Sequence, residues 1–454
     1  MDDFKGKSVL VVGLARSGLA AVEALLPLGA KITVQDAKTA GGFDPGLIGF
    51  LNNNGVKCYF GVDPTPEDRF DTLILSPGVP PELSFIQRAA MAGGEIAGEL
   101  EIAYRLCKGN FIAITGTNGK TTVTALVGEI FKSAGKDVRV VGNIGTAAIS
   151  AVEGAGDDTW LITETSSFQL ETIRDFKPRV SAILNIAPDH LDRHKNMRNY
   201  VEAKARIFEN QGANDYFVVN FDDAAAYGLS GRCAAKAVPF SRVSSLKFGA
   251  FVDDGSVVIA EGGGKPAAIC LAREIGMPGA HNLENALAAA AIAYFAGIPV
   301  RAISETLRSF HGVAHRLEPC GEINGVRFVN DSKATNPAAA IKALEAMESP
   351  VILIAGGYDK NVDFESFTGA FSGKVKAAML LGATAGAIKE TAESKGFQGC
   401  RILSDMEECV SEAYRAACPG DTVLLSPACA SWDMYPDFEK RGEDFKDCVK
   451  RLEK

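Results

Sequence analysis

Residues 110–133 read NFIAITGTNGKTTVTALVGEIFKS: an unbroken apolar run, a glycine-bearing turn, then an amphipathic stretch that opens on Lys120. An apolar run without polar alternation predicts a strand buried on both faces, as in a parallel sheet covered by helices. The turn Ile114-Thr115-Gly116-Thr117-Asn118-Gly119-Lys120-Thr121-Thr122 has the chemistry of a phosphate loop. Its glycines let backbone N–H groups converge on phosphate oxygens, the helix N-terminus adds partial positive charge, and Lys120 adds a full one. Thr121 stands where a hydroxyl can reach Mg²⁺. The usual pattern has glycine at position 114, where this chain has isoleucine, so the loop is a variant with Gly116 moved inward. Without the flanking strand and helix it would read as a glycine-rich turn with an incidental lysine. With them, Gly116, Thr117, Asn118, Gly119, Lys120, Thr121 and Thr122 are candidate ATP ligands.

On the N-terminal side, KSVLVVG (7–13), RSGLAAVEALLPLG (16–29), KITVQD (31–36) and TLILSPG (72–78) alternate as strand, helix, strand and strand. That βαβ rhythm predicts a Rossmann-like domain over residues 1–98. Gly13-Leu14-Ala15-Arg16-Ser17-Gly18 followed by Asp36 imitates a dinucleotide fingerprint, which alone would suggest an NAD-dependent oxidoreductase. Against this, Ala15 replaces the glycine that lets backbone approach a pyrophosphate, and a separate phosphate loop already supplies ATP. On the C-terminal side, VRFVNDSKATNP, PVILIAGG, AAMLLG and DTVLLSPA predict four strands of another Rossmann-like α/β domain over 313–454. Between them, 99–312 reads as a central P-loop ATPase-like domain, with a small antiparallel excursion from Arg242 to Ile269. The fold class is α/β in three domains.

Composition narrows the partners. A chain of 454 residues that is 47% hydrophobic and 23% charged suits a soluble protein of two or three domains. The start MDDFKGKSVLVVG reads as a strand rather than a signal sequence. The apolar stretch Ala286 to Val300 meets Gly297 and Pro299, well short of a membrane span. A cytoplasmic monomer with no membrane partner is expected. Ten cysteines occur singly, without zinc spacing, and most should be small core residues. The net charge of -9 speaks against a nucleic-acid partner.

Two further segments carry reactive side chains toward the same sheet edge. TWLITETSSFQLE delivers Glu164, a candidate Mg²⁺ ligand with Thr121. VSAILNI leads to Asn185, Asp189, His190, Asp192 and His194, and adjacent parallel strands should bring these ends together. Lys204 lies in YVEAKARIFEN, and composition alone makes it a solvated helix lysine.

TGTNGKTT, ETSSFQLE, NIAPDHLDRH, AKARIFEN, GAHNLENALAA, VAHRLE, NDSKATNP and SPACASWDMYPDFEKRG occur in that order across nearly the whole chain. Together they resemble the Mur ligases. ETSSFQLE, DSKATNP and SPACAS resemble the D-glutamate-adding branch, and the Asp-Asn-Pro-Arg motif of the diamino-acid branch is not in the sequence. The resemblance implies that a UDP-N-acetylmuramoyl-L-alanine carboxylate attacks ATP, giving an acyl phosphate that the amine of D-glutamate displaces. It implies two Mg²⁺ sites. Lys120, Thr121 and Glu164 match the first metal and phosphate set, His190 matches a ligand of the second, and Lys204 matches a lysine that is carbamoylated. Asn282, Asn285, Arg316, Asp331 and Lys333 match nucleotide residues, Lys333 also being catalytic. Thr335, Lys360, Ser431 and Phe438 match the D-glutamate pocket. Leu14, Arg16, Ser17, Asp36, Ser76, Pro77, Gly78 and Asn143 match the UDP-substrate site. The alternatives are another Mur-type amide ligase, either L-alanine-adding or folylpolyglutamate-like, an NAD-dependent oxidoreductase, and a catalytically dead nucleotide-binding regulator.

Overall fold

The alternating apolar and amphipathic runs fold into three sheets. The structure, a computed structural model, describes residues 4–452 except 144, 145, 278, 348, 360 and 361. The first sheet holds β1 (Ser8–Val12), β2 (Lys31–Asp36), β3 (Lys57–Phe60), β4 (Thr72–Leu75) and β5 (Glu95–Gly98), in the order β3-β2-β1-β4-β5. Every pairing in it is parallel. The order reverses between β1 and β4, so the loops after those two strands open a crevice at the sheet's C-terminal edge, the place where open α/β sheets bind ligands.

The central sheet holds β6 (Asn110–Thr115), β7 (Val138–Gly142), β8 (Trp160–Glu164), β9 (Val180–Ile183), β10 (Tyr216–Asn220), β11 (Lys236–Ser241), β12 (Phe248–Asp253), β13 (Ser256–Glu261) and β14 (Ala267–Leu271). Its order is β14-β13-β12-β11-β10-β9-β6-β8-β7. β6 therefore lies between β8 and β9, with both pairings parallel. That topology is what gathers the phosphate loop, Glu164 and Asn185 at one edge. The stretch expected as an antiparallel excursion is antiparallel from β12 to β14, and it extends the central sheet through a short parallel pairing of β11 with β12.

The helix Lys120–Ser133 continues directly from the phosphate loop and buries Val123, Leu126, Val127, Ile130 and Phe131. Against it packs the helix Ala280–Phe295, which is buried continuously from Asn285 to Ala293. Its run of alanines removes side-chain bulk, so the two helices and the sheet meet closely. This packing brings the start of the alanine-rich helix to the phosphate loop.

The third sheet holds β15 (Glu318–Ile323), β16 (Val326–Asn330), β17 (Val351–Ala355), β18 (Val375–Leu380), β19 (Cys400–Ile402) and β20 (Thr422–Leu425), ordered β15-β16-β20-β17-β18-β19. Four of its six strands are those expected from sequence. The two missed are the edges: β15 is a largely polar hairpin arm with Pro319 and Gly321, and β19 has three residues. The contacts divide the chain into two compact units, Met1–Phe310 with the first two sheets and His311–Lys454 with the third. Among the described residues, no helix is long and apolar enough to cross a membrane. All ten cysteines are free thiols; five are buried, four half-buried and Cys418 exposed, so core packing accounts for half of them.

Candidate active site

The phosphate loop is braced from three directions. The Asn185 side chain accepts from the N–H groups of Thr117 (3.1 Å) and Asn118 (2.8 Å) and donates to the Asn118 carbonyl (3.2 Å). The Thr117 hydroxyl lies 3.1 Å from both the Ala187 carbonyl and the Tyr200 hydroxyl. Asn285 lies so close to Gly119 that a Cβ there would fall 2.4 Å from its Oδ1, on backbone at φ 82°. Sequence reasoning missed the bracing roles of Asn185 and Tyr200; each is legible only once β6 and β9 are known to be neighbours.

That close approach makes a prediction. Gly119→Ala combines left-handed backbone with a side-chain clash, so the loop must shift and ATP affinity should fall about tenfold or more. Nucleotide titration of the variant checks it, and unchanged affinity would show that the loop tolerates the methyl group.

Two lysines converge on one carbonyl. Lys120 donates to Gly116 O at 2.8 Å and to Thr117 O at 2.9 Å, and Lys204 donates to the same Gly116 O at 2.9 Å. Lys204 is 2% exposed, which overturns the solvated-lysine expectation from composition. Its helix, Met197–Ala205, turns this residue inward onto the Tyr200 ring at 4.6 Å. Burial pushes its ammonium down to about 7, and the charge of Lys120 pushes the same way while Asp189 opposes. Among the described residues, no carboxylate lies within ion-pair distance of it.

Glu164 ends β8 and is 2% exposed. Its carboxylate accepts from the Asn143 amide at 3.1 Å, and its carbonyl accepts the Asn143 N–H at 2.9 Å. His190 is half exposed, with its Nε2 3.5 Å from Asp189 and its ring 5.0 Å from that of Phe168. The Phe168 ring also stacks with that of His194 at 5.3 Å, and His194 is buried between Ser167 (2.9 Å) and Glu171 (3.4 Å). The side chain of Asp192 lies outside the described residues.

In the first sheet the fingerprint loop is braced by side chains from the neighbouring strands. Asp36 accepts the N–H of Leu14 at 2.7 Å and of Lys38 at 2.9 Å, so its carboxylate is engaged with backbone. Ser76 donates to Gly13 O at 2.9 Å, tying the loop after β4 to the loop after β1. Arg16 reaches the Asn143 carbonyl at 3.0 Å and links this loop to the central sheet. Leu14, Arg16, Ser17, Asp36 and Ser76 to Gly78 thus share one edge, with Asn143 adjoining.

In the second unit, Asp331 is buried at the end of β16, accepting from the Ser426 hydroxyl (2.9 Å) and the Leu317 N–H (3.2 Å). Burial pushes its carboxyl up to about 6, with those bonds and Arg316 opposing. Lys333 sits 5.7 Å from the Phe438 ring. Arg441, which sequence reasoning missed, is 2% exposed and joins two loops: it donates to Ser332 O (2.9 Å), Cys429 O (3.0 Å) and Ala430 O (3.2 Å). It thereby fixes the segments that carry Lys333, Thr335 and Ser431. Lys360 lies outside the described residues. His190 and Lys195 in the first unit, and His315, Leu317 and Ala428 in the second, hold left-handed backbone at φ 43–73°.

Three family models match in succession: Mur ligase MurD-like N-terminal domain over residues 7–98, Mur ligase middle domain over 114–293, and Mur ligase glutamate ligase domain over 315–429. The chain is 49% identical to a UDP-N-acetylmuramoylalanine–D-glutamate ligase of Alkaliphilus oremlandii, with 99% of each chain covered. The chain belongs to the Mur ligase family. It is also 46% identical to the ligase of the same name from Clostridioides difficile, covering 99% of this chain and 100% of that one. Among solved Mur ligase structures, the UDP-N-acetylmuramate-alanine ligase of Thermotoga maritima shares the fold at 18% identity and a TM-score of 0.54, over 98% of this chain and 99% of that one. Membership accounts for the three α/β domains and for an ATP-dependent ligase core, and it sets aside the oxidoreductase reading of the first loop.

Proposed function

We propose that this Mur ligase joins D-glutamate to UDP-N-acetylmuramoyl-L-alanine with hydrolysis of ATP to ADP and phosphate, as a cytoplasmic step of peptidoglycan precursor synthesis. The observation that carries the substrates is the end-to-end likeness to relatives named for that reaction. The chemistry is supported by the phosphate loop with Lys120 and the buried Lys204 at its back. The domains would run over 1–98, 99–312 and 313–454, serving the UDP carrier, ATP and the amino acid in turn.

In the first step an oxygen of the substrate carboxylate attacks the γ-phosphorus, the bond to the β-bridging oxygen breaks, and ADP leaves. In the second, the amine nitrogen of D-glutamate attacks the acyl carbon, the carbon–oxygen bond to phosphate breaks, and the amine's proton is lost as the amide forms. Three anionic groups meet in this sequence, so positioning and charge compensation dominate catalysis. Lys120 and the N–H groups of the loop from Gly116 to Thr122 that Asn185 does not engage would hold the β- and γ-phosphates. Asn282 and Asn285 serve the adenine side, while Arg316, Asp331 and Lys333 serve ribose and phosphates. Arg16, Ser17, Asn143 and the Ser76-Pro77-Gly78 loop hold the UDP carrier, with Leu14 and Asp36 shaping the loop. Thr335, Ser431 and Phe438, with Lys360, receive D-glutamate.

The donors suit Mg²⁺. Thr121 and Glu164 offer hard oxygens, and among the described residues no three His, Cys, Asp or Glu side chains cluster as a metal cage. Mg²⁺ is commonly held by one or two protein oxygens with phosphates and water completing the shell, so a sparse set fits an ion that arrives with nucleotide. Thr121 and Glu164 would hold one ion, and His190 with Lys204 as its carbamate a second. Bound there, the ions would offset charge on the phosphate oxygens.

Phosphate release measured with UDP-N-acetylmuramoyl-L-alanine and a panel of amino acids tests the proposal. D-Glutamate alone should give substantial turnover. Activity with L-alanine on the unextended carrier would overturn it in favour of the sibling ligase.

A further inference from the structure

Two buried carboxylates open the helix Glu99–Leu106 that leads from the first sheet toward the second, and they are treated differently. Glu101 is fully engaged: it accepts the N–H groups of Arg174 (2.8 Å), Asp175 (3.0 Å) and Phe176 (3.0 Å) and pairs with Arg105 at 2.7 Å. Glu99, 3% exposed, accepts the Ile149 N–H at 2.6 Å through Oε1, whereas its buried Oε2 has no hydrogen-bond partner among the described residues. Burying an ionisable oxygen without a bond is costly, so its retention calls for a cause beyond packing.

The surroundings supply one. Glu99 borders a cavity of about 10 Å³ together with Ser76, Pro77, Gln169 and Glu171, directly behind the loop after β4. The charge of Arg16 acts favourably on the Glu99 carboxylate, and Arg16 in turn bonds the carbonyl of Asn143. Ile149, the residue Glu99 fixes, follows Asn143 by six positions in the sequence. Asn143 is itself tied to Glu164.

We propose that Glu99 is a positioning residue for the UDP-linked substrate: one oxygen anchors the backbone at Ile149 and its charge holds Arg16, so that Arg16 and Asn143 face the carrier together. This rests on the functional reading above. Asn143 is also bonded to Glu164, which holds it from the other side independently of Glu99. Glu99 touches neither the substrate nor the reacting atoms.

Isothermal titration of UDP-N-acetylmuramoyl-L-alanine into the full-length protein, with KM values for all three substrates, tests the assignment. Glu99→Ala should weaken carrier binding about tenfold, the scale of a lost charge-assisted hydrogen bond, with KM for ATP and D-glutamate within about twofold. Glu99→Gln keeps an acceptor for the Ile149 N–H and should lose less. Burial pushes the Glu99 carboxyl up to about 7, with Arg16 and the N–H groups of Ile149 and Ala148 opposing. Among the described residues Arg16 acts on it by charge, and Glu171 lines the same cavity. Only the carboxylate attracts Arg16, so wild-type affinity should fall as pH drops through 7, and Glu99→Gln should be flatter over the same range. Should Glu99→Ala fail to fold, that difference in pH profile decides. Carrier affinity unchanged in Glu99→Ala, equal losses for all three substrates, or identical pH profiles would each overturn the proposal. A wild-type protein that binds no carrier at all would instead reject the functional reading.

Discussion

Lys120→Ala should leave the protein folded and nearly inactive, with kcat down by a factor on the order of 10²–10³ or more, the scale for removing a preorganised charge from a developing anion. The side chain donates to the carbonyls of Gly116 and Thr117, which arch it over the loop it belongs to. Those contacts are local, and its removal opens no cavity in the core beneath the helix Lys120–Ser133. Stability should therefore change little, and carrier affinity should stay near wild type because Arg16 and Ser76 belong to the other sheet. Single-turnover phosphate release, a melting curve and carrier titration together make the comparison. Near-normal turnover would refute the phosphate-loop assignment, and a large fall in melting temperature would show that the lysine acts mainly on folding.

Lys204→Ala should be equally inactive for a different reason, and short carboxylic acids such as acetate should restore part of the rate. As an ammonium, Lys204 would repel the metal ions proposed beside it, whereas a carbamate would present oxygens to them. Carbamate formation needs the neutral amine. Burial and Lys120 bring this group down to about 7, so the neutral form predominates above pH 7 and is lost as pH falls through it. Added bicarbonate should accordingly stimulate wild type most near and above neutrality. Initial rates of both proteins across pH 6 to 8.5, with and without bicarbonate and acetate, would show this. Absence of acid rescue in the variant together with bicarbonate independence in wild type would remove the carbamate.

The parts of this molecule that could be read from sequence are those written locally. The strand, glycines and helix of residues 110–133 are contiguous, so one buried run and two backbone requirements define the loop without knowledge of the rest. The fingerprint at Gly13 and the ends of β8 and β9 are legible for the same reason. What stayed hidden depends on neighbours distant in sequence. Lys204 looks solvated in YVEAKARIFEN because its burial comes from Tyr200 and the Gly116 carbonyl, and only the latter's position in the sheet order explains it. Asn185 braces the phosphate loop across 67 and 68 positions, and Arg441 joins two loops across 109 and 12. Glu99 and Glu101 are two positions apart in a charged helix start, and nothing in that order says which one is fully bonded.

The left-handed backbone at His190, Lys195, His315, Leu317 and Ala428 bears on how such a protein can be made more robust. Each non-glycine residue held there carries a local penalty of about 1–2 kcal/mol that surrounding contacts must overcome. These residues flank the proposed metal loop in one unit and the Asp331 and Ser431 segments in the other. Heat tolerance sought through relaxed backbone at these five sites would come at the expense of the tautness that aims His190 and the amino-acid loops. Gains in durability are better sought elsewhere in the chain, leaving these joints under tension.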